Sequence, residues 1–201
     1  MDSTRLKQCH VSITRMNLSL DFKQDLQWLL MFLPLWNEKS MFFDDSWTSS
    51  TALHLYTDAS DVAAAGFYKG QWFVVPFVLD LDSLQQYSIN WREMFAIVVA
   101  AATFGNRWRG KRTMLHCDNQ CVVNVINSGT CKSADIMHLV RMLVFVSAVN
   151  NFEISSCYIS TKANMVADSL SRLQFDRFFS LVPGADEQMT YPVFEVFQTM
   201  S

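Results

Sequence analysis

TDASDVAAAGFYKGQWF, residues 57–73, contains a clear pattern of strands and carries an acidic residue, Asp58, near its start. Residues 52–57 alternate apolar and polar side chains, which predicts a strand that ends at Asp58. Residues 62–68 and 71–77 predict two more strands, joined by a tight two-residue turn at Lys69-Gly70. The three segments together predict an antiparallel meander.

Strand and helix patterns alternate in the rest of the chain. The apolar spacing predicts helices at residues 90–104, 119–126, 134–149 and 164–172, and strands at residues 112–117 and 152–159. This order predicts an α/β fold in which a five-stranded mixed sheet has helices on both faces.

The chain is predicted to divide into three parts. Residues 1–50 form an N-terminal segment with a helix at about 21–33 and a linker at 37–50, residues 51–175 form the main domain, and residues 176–201 form a C-terminal tail. The N-terminal helix should pack against the domain, because its apolar side chains share one face. These side chains are Phe22, Leu26, Leu29, Leu30 and Leu33.

Composition excludes several classes of protein. Half of the residues are hydrophobic and 17% are charged, as in a globular domain. The net charge of −3 is not that of a free-standing nucleic-acid binder, so any such contact must be local. The longest apolar run, Leu26–Trp36, is too short to span a bilayer, and no signal peptide is evident. Five cysteines without a framework spacing predict an intracellular protein with reduced thiols, in the cytoplasm or nucleus.

Four acidic residues stand in short, distinctive phrases. They are Asp58 in TDAS, Glu93 in WRE, Asp118 in CDNQ and Asp168 in NMVADSLSR. Asp58 and Asp118 are predicted at the carboxyl ends of strands, where sites form in such sheets. Buried carboxylates need compensating positive charge, and divalent cations provide it. Each acid alone could be a surface or capping residue, but the set predicts a metal-dependent phosphodiesterase.

The order of these phrases resembles that of the ribonuclease H domain of retrotransposon reverse transcriptases, of the gypsy type and more closely of the DIRS type. Two further phrases, MHLVR at residues 137–141 and PGAD at residues 183–186, are similar to the DIRS-type group. The matches extend over residues 20–190, approximately. Four matches in the same order are far more specific than a single short motif.

This resemblance implies a ribonuclease H-like fold and endonucleolytic cleavage of the RNA strand of RNA/DNA hybrids. It also implies two Mg²⁺ ions, or Mn²⁺ in their place. Asp58 would contact both ions, Glu93 and Asp118 one of them, and Asp168 the other. A polymerase domain of the same element is an expected partner, and no membrane is expected.

One position departs from the family pattern. Family members often carry a His-Ile-Pro-Gly turn ten residues before the last aspartate, and the histidine takes part in turnover. Residues 158–161 here read YIST, so that Tyr158 occupies the catalytic histidine's position. Tyrosine has an unperturbed pKa of about 10 and cannot exchange a proton near pH 7 as imidazole does. Slow turnover or altered product release is therefore expected. The glycine-rich stretch after TDAS is also reduced to Gly66.

Two groups of residues are candidates for nucleic-acid contacts. Ser60, Asn119 and Gln120 follow the predicted strand ends and could read RNA 2′-hydroxyls, although turn and capping roles explain them equally well. The basic stretch RWRGKR could follow a phosphate backbone or be a solvated loop. Its basic residues are Arg107, Arg109, Lys111 and Arg112.

Three other interpretations are weighed against the nuclease. A zinc site could use His116, Cys117, Cys121, Cys131 and His138, but no Cys-x-x-Cys spacing supports it. FFDD at residues 42–45 imitates a polymerase motif, yet the preceding forty-odd residues cannot form a palm, so no polymerase activity is expected. The third is a catalytically idle, retroelement-derived binding or scaffold module.

Overall fold

The fold is mixed α/β, and the computed structural model describes residues 17–36, 46–77, 87–194 and 197. In chain order the strands are β1 Trp47–Ser49, β2 Leu55–Ala59, β3 Ala63–Tyr68, β4 Gln71–Pro76, β5 Arg112–Cys117 and β6 Glu153–Tyr158. The helices are α1 Leu20–Phe32, α2 Ser50–Leu53, α3 Ile89–Phe104, α4 Gln120–Ser128, α5 Ala134–Asn150, α6 Met165–Ser171 and α7 Phe175–Leu181. The FFDD phrase lies outside the described residues.

The predicted meander is confirmed as an antiparallel sheet in the order β2-β3-β4. Asp58 is the last residue but one of β2, opposite Ala65 of β3, so the strand ends one residue later than predicted. Lys69 and Gly70 both have positive φ, at 48° and 91°, which is the geometry of the tightest hairpin turn.

The prediction of a single five-stranded sheet is wrong, because the six described strands form two sheets of three. The second sheet is parallel, in the order β1-β5-β6. Residues 52 and 53, predicted as strand, end α2, and His54 has a φ of 55° that turns the chain before β2 begins. Strand β1, from the predicted linker, pairs with the first half of β5 instead.

Strand β3 is buried on both faces, and its first four residues, 63–66, have small side chains or none. Ala63 and Ala65 pack with Phe178 of α7 on one face, while Ala64 packs with Ala96 of α3 on the other. At Gly66, an added Cβ would lie 2.7 Å from the ring atom Cζ of Phe73, which is itself fully buried. The single remaining glycine is therefore required for close packing within this sheet.

Helix α3 lies between the antiparallel sheet and α5 and forms the centre of the core. Its N-cap is Ser88, whose Oγ accepts a hydrogen bond from Trp91 N at 3.3 Å. The helix ends at Phe104, as predicted. Gly105 follows with a right-handed φ of −60°, and an added Cβ there would lie 2.8 Å from the ring of Phe152. Packing, and not a left-handed cap, explains this glycine.

Helix α1 is confirmed, but its predicted packing face is wrong. Trp28 is its buried residue, and its ring packs against Phe145 of α5 with centroids 5.5 Å apart. Arg141 of α5 pairs with Asp25 at 2.7 Å and with Asp21 at 3.4 Å. Residues 21, 25 and 28 share a face at helical spacing, so these contacts turn the opposite, leucine-rich face to solvent. Leu30, for example, is 66% exposed.

The predicted C-terminal tail is partly packed against the domain. Phe178 of α7 is fully buried, and Thr190 N donates to Trp72 O at 2.8 Å beside β4. The predicted domain boundaries stay predictions. Within the described ranges, every helix is too short or too polar to cross a bilayer.

Candidate active site

Four acids predicted as a set come together at one end of the fold, and we refer to Asp58, Glu93, Asp118 and Asp168 as the acidic cluster. Asp58 lies in β2, Glu93 is the fifth residue of α3, Asp118 directly follows β5, and Asp168 lies in the first turn of α6. The charges of Asp118 and Asp168 act on Asp58, and those of Asp58 and Asp118 act on Glu93. Side chains from both sheets and two helices therefore share one site.

Asn164 connects the two sheets at this site. It is fully buried, and its Nδ2 donates to Thr57 O at 2.9 Å and to Asp118 Oδ1 at 3.4 Å. It also stands directly before α6, four residues ahead of Asp168. One amide thus links the β2 backbone, the Asp118 carboxylate and the start of the helix that carries Asp168.

The end of α6 is fastened to the antiparallel sheet by two serines. The Ser171 hydroxyl donates a short hydrogen bond to Asp58 Oδ2, and the Ser60 hydroxyl donates to Ser171 O at 2.7 Å. Both serines are buried. These bonds fix Asp58 relative to the helix of Asp168.

Compensating positive charge is unevenly distributed in the acidic cluster. Asp168 accepts hydrogen bonds from Arg172 Nε at 2.6 Å and from an Arg177 guanidinium nitrogen at 3.1 Å. Glu93 is 6% exposed, yet among the residues that the structure describes it has no hydrogen-bond donor and no cationic partner. A buried, unpaired carboxylate of this kind is rare in proteins.

Burial and mutual repulsion make two of the acids hard to ionise. Burial raises the pKa of Glu93 to about 9, with further increases from the charges of Asp58 and Asp118. Burial also raises the pKa of Asp58 to about 7; the Ser171 hydrogen bond opposes this change, and the charges of Asp118 and Asp168 add to it. A cation placed among these groups would favour their charged forms.

The donor atoms present fit a divalent cation. Potential ligand atoms of Glu93, Cys117 and Asp118 all lie within 4.8 Å of one another. Carboxylate oxygens are the ligands that Mg²⁺ and Mn²⁺ prefer. The unpartnered Glu93 carboxylate is the feature that a bound cation would explain most directly.

Tyr158 lies at the same end of the parallel sheet as Asp118. It ends β6, where it pairs in register with Cys117, and its side chain is 54% exposed. An exposed ring is free to meet a ligand and contributes little to the core. Its catalytic role stays a prediction.

The predicted 2′-hydroxyl readers have local roles in the free protein. Ser60 Oγ accepts from Val62 N at 2.9 Å, in addition to its bond to α6. Asn119 is the N-cap of α4, and its Nδ2 donates to Asn90 Oδ1 at 2.9 Å. Gln120 is exposed and donates to Asn124 Oδ1 at 3.1 Å. Of the three, Gln120 has the side chain most available to a ligand.

The basic stretch at residues 107–112 is not brought into the site. Arg112 begins β5, whereas Asp118 follows its other end, so that the two are about 20 Å apart along the strand. Arg112 pairs with Glu153 at 2.9 Å, and the Arg107 guanidinium lies 5.8 Å from the centre of the Tyr68 ring. Arg109 is exposed and Lys111 partly so.

The zinc site considered from the sequence does not form. In the part of the chain that the structure covers, the one group of three donors close enough to share a metal ion is Glu93, Cys117 and Asp118. Cys121 is exposed and Cys131 is partly buried, each outside that group.

Sequence reasoning missed several residues that shape the site. Asn164, Ser171, Arg172 and Arg177 all contact acids of the cluster. Cys117, which the sequence suggested only as a zinc ligand with other cysteines and histidines, lies beside Glu93. Residues 164, 168, 171 and 172 recur at intervals of three or four, which places them on one face of a helix. That spacing could have identified three of these five residues.

Comparisons with known proteins were made for sequence and structure. No family model matches the sequence, and the search of curated proteins finds no match. Among solved structures, the chain is similar to RNase H1 from the halophilic archaeon Halobacterium salinarum NRC-1. The identity is 14%, the TM-score is 0.44, and the alignment covers 65% of this chain and 98% of that chain. A likeness this low does not establish a shared activity.

The pKa of Glu93 predicts how the stability of the metal-free protein depends on pH. The pKa is raised from 4.5 to about 9 on folding, so between these values the folded state binds more protons than the unfolded state. Stability in EDTA should therefore fall as the pH rises through this window, by several degrees in melting temperature. Glu93→Gln should make this dependence shallower, whereas Glu187→Gln, at an exposed site, should leave it unchanged. Equal pH dependence in wild type and Glu93→Gln would show that Glu93 is not a buried acid of this kind.

Proposed function

We propose that this chain is a metal-dependent endonuclease that hydrolyses the RNA strand of RNA/DNA hybrids, as part of a retrotransposon reverse transcriptase or derived from one. The observation that carries the proposal is the convergence of four acids, in the order found in retroelement ribonucleases H, on a site where Glu93 is buried without a partner. No structural role within the described residues accounts for that carboxylate.

The acidic cluster would hold the metal. Asp58, Glu93, Asp118 and Asp168 supply carboxylate oxygens, and Mg²⁺ is the expected ion, with Mn²⁺ as a substitute. Bound divalent cations activate the attacking water and stabilise the leaving 3′ oxygen in phosphodiester hydrolysis. The protein's own part is positioning: Asn164 holds Asp118, and Ser171 holds Asp58.

Arg172 and Arg177 have two roles in this proposal. Both guanidinium groups bind Asp168 and are about half exposed, at 55% and 43%. They would hold the Asp168 carboxylate in a fixed orientation, and they would also attract the phosphates of the substrate. This local positive charge would allow the site to bind nucleic acid although the net charge of the chain is −3.

Strand choice would depend on contacts to the RNA 2′-hydroxyl, which DNA lacks. Gln120 and Asn119 begin α4 directly beside Asp118 and are the proposed contacts. Ser60, by contrast, is occupied by backbone bonds and would act by holding β2 to α6. The basic residues Arg107, Arg109, Lys111 and Arg112 could contact only a part of the hybrid distant from the cleaved phosphate.

The second candidate is an idle binding or scaffold module derived from the same source. Tyr158 in the histidine position favours it, as do the ion pairs of Asp168, which engage both carboxylate oxygens. The four acids favour the nuclease, because a module that no longer binds metal would gain stability by losing Glu93.

Cleavage of a labelled hybrid tests the proposed reaction. The purified chain should cut the RNA strand in Mg²⁺ or Mn²⁺ and leave 3′-hydroxyl and 5′-phosphate ends. Asp58→Asn should reduce the rate by at least about a hundredfold, because it removes a metal ligand. Asp176→Asn, at an exposed position of α7, is the matched control and should retain activity. Equal cutting of single-stranded RNA, or activity that persists in EDTA, would refute the proposal.

Tyr158→His tests the departure from the family pattern. An imidazole with a pKa of about 6.5 can exchange a proton near neutral pH, so multiple-turnover cleavage should become several-fold faster. Single-turnover cleavage and the melting temperature should change little, because the side chain is 54% exposed. Comparison of burst and steady-state rates measures the effect. An unchanged steady-state rate at an unchanged melting temperature would remove Tyr158 from the mechanism.

A further inference from the structure

Cys117 adds a sulfur atom to a site that is otherwise built from carboxylates. It is the last residue of β5 and is 1% exposed. Its Sγ, a Glu93 oxygen and an Asp118 oxygen lie within 4.8 Å of one another. The nuclease proposal gives this thiol no role.

The thiol is weakly held by the protein. Its contacts are with the backbone of Asn119, whose N–H donates to Sγ at 3.4 Å and whose carbonyl oxygen lies 3.8 Å from Sγ. Neither contact is strong enough to fix the thiol proton. The sulfur can therefore bind a metal ion without the loss of a strong hydrogen bond.

Glu93 gives an independent indication that a cation belongs here. The Glu93 residue is 6% exposed, its carboxylate lies beside the thiol and Asp118, and it lacks a hydrogen-bond or ionic partner in the described ranges. A lone buried cysteine is usually an apolar core residue. A buried thiol beside an uncompensated carboxylate calls for a different explanation.

The donor set distinguishes between classes of metal. Mg²⁺ takes oxygen ligands, so Cys117 offers it nothing. Zn²⁺ and Co²⁺ accept thiolate together with carboxylate, and a thiolate ligand favours Zn²⁺ over Mg²⁺ and Mn²⁺. Three protein ligands would leave one position open in tetrahedral coordination, with donor separations of about 3.3–3.8 Å. Small side-chain movements would bring the three donors to that spacing.

We propose that Glu93, Cys117 and Asp118 form a binding site for a thiophilic divalent cation, of which Zn²⁺ is the biological representative. On binding, the S–H bond of Cys117 is replaced by a sulfur–metal bond, and the proton passes to solvent. The ion would occupy Glu93 and Asp118 and exclude Mg²⁺ from them. Zn²⁺ would thus inhibit hydrolysis, a consequence that rests on the proposed function, whereas the binding site itself does not.

Cobalt provides a direct test on the full chain, because Co²⁺ bound to a thiolate gives a charge-transfer absorption in the near ultraviolet. Wild type should show this band with one Co²⁺ per chain, and Zn²⁺ should abolish it by displacement. Cys117→Ser should lose the band and bind Co²⁺ at least tenfold more weakly. Cys121→Ser, at an exposed cysteine in the next helix, α4, is the matched control and should keep the band.

Three results would overturn the proposal: no band in wild type, a band that persists in Cys117→Ser, or a band lost in Cys121→Ser. If Cys117→Ser does not fold, Glu93→Gln keeps the test decisive. The Glu93→Gln variant keeps all of its cysteines and should still bind Co²⁺ at least tenfold more weakly than wild type. An unchanged Co²⁺ affinity would refute the site.

Hybrid cleavage by wild type in Mg²⁺ separates this inference from the proposed function. A cobalt band without cleavage supports the thiophilic site and contradicts the nuclease. Cleavage without a band supports the nuclease and contradicts the site. Where both are present, micromolar Zn²⁺ should suppress Mg²⁺-dependent cleavage in wild type, and undiminished cleavage at saturating Zn²⁺ would contradict the inhibitory role.

Discussion

A carboxylate buried without a positive partner costs several kcal/mol, and the fold accepts this cost at Glu93. Much else in the molecule follows from the need to keep acids together. Asp58 is buried beside it, and burial raises the pKa of both groups. Natural proteins retain such destabilising arrangements mainly at functional sites, where a ligand compensates them. A bound divalent cation would attract each of these carboxylates and so offset their mutual repulsion.

The positions of the acids depend on side-chain hydrogen bonds between elements that are not paired with each other as strands. The two sheets meet at the acidic cluster, and Asn164 bonds to both of them there. Ser171 and Ser60 form a second connection, between α6 and β2. Ligands held by locked side chains on regular elements keep their geometry better than ligands on loops. The arrangement of bonds around the cluster is therefore suited to a site that must hold its shape while a substrate binds.

Local rules predicted much of this structure, and long-range contacts account for the failures. The hairpin at Lys69-Gly70 and the bounds of β5 followed from turn chemistry and alternation, which act over a few residues. The division into two sheets did not, because it depends on pairing between segments far apart in the sequence: β1 pairs with β5, whereas β2 pairs with β3. The face of α1 was misassigned because Arg141, far away in the sequence, holds Asp21 and Asp25. At the site, the residue types of the acids were sufficient to predict the set, whereas the roles of Asn164 and Cys117 depend on contacts that only the fold creates.

The central claim is that a divalent cation compensates the buried carboxylates, and Mn²⁺ makes it directly visible through anomalous scattering. Crystals of the wild type soaked in Mn²⁺ should show an anomalous peak in contact with Glu93 and Asp118. Crystals of Glu93→Gln treated in the same way should show a much weaker peak or none. Mn²⁺ bound elsewhere on the protein, with Glu93 still buried and without a metal neighbour, would contradict the claim.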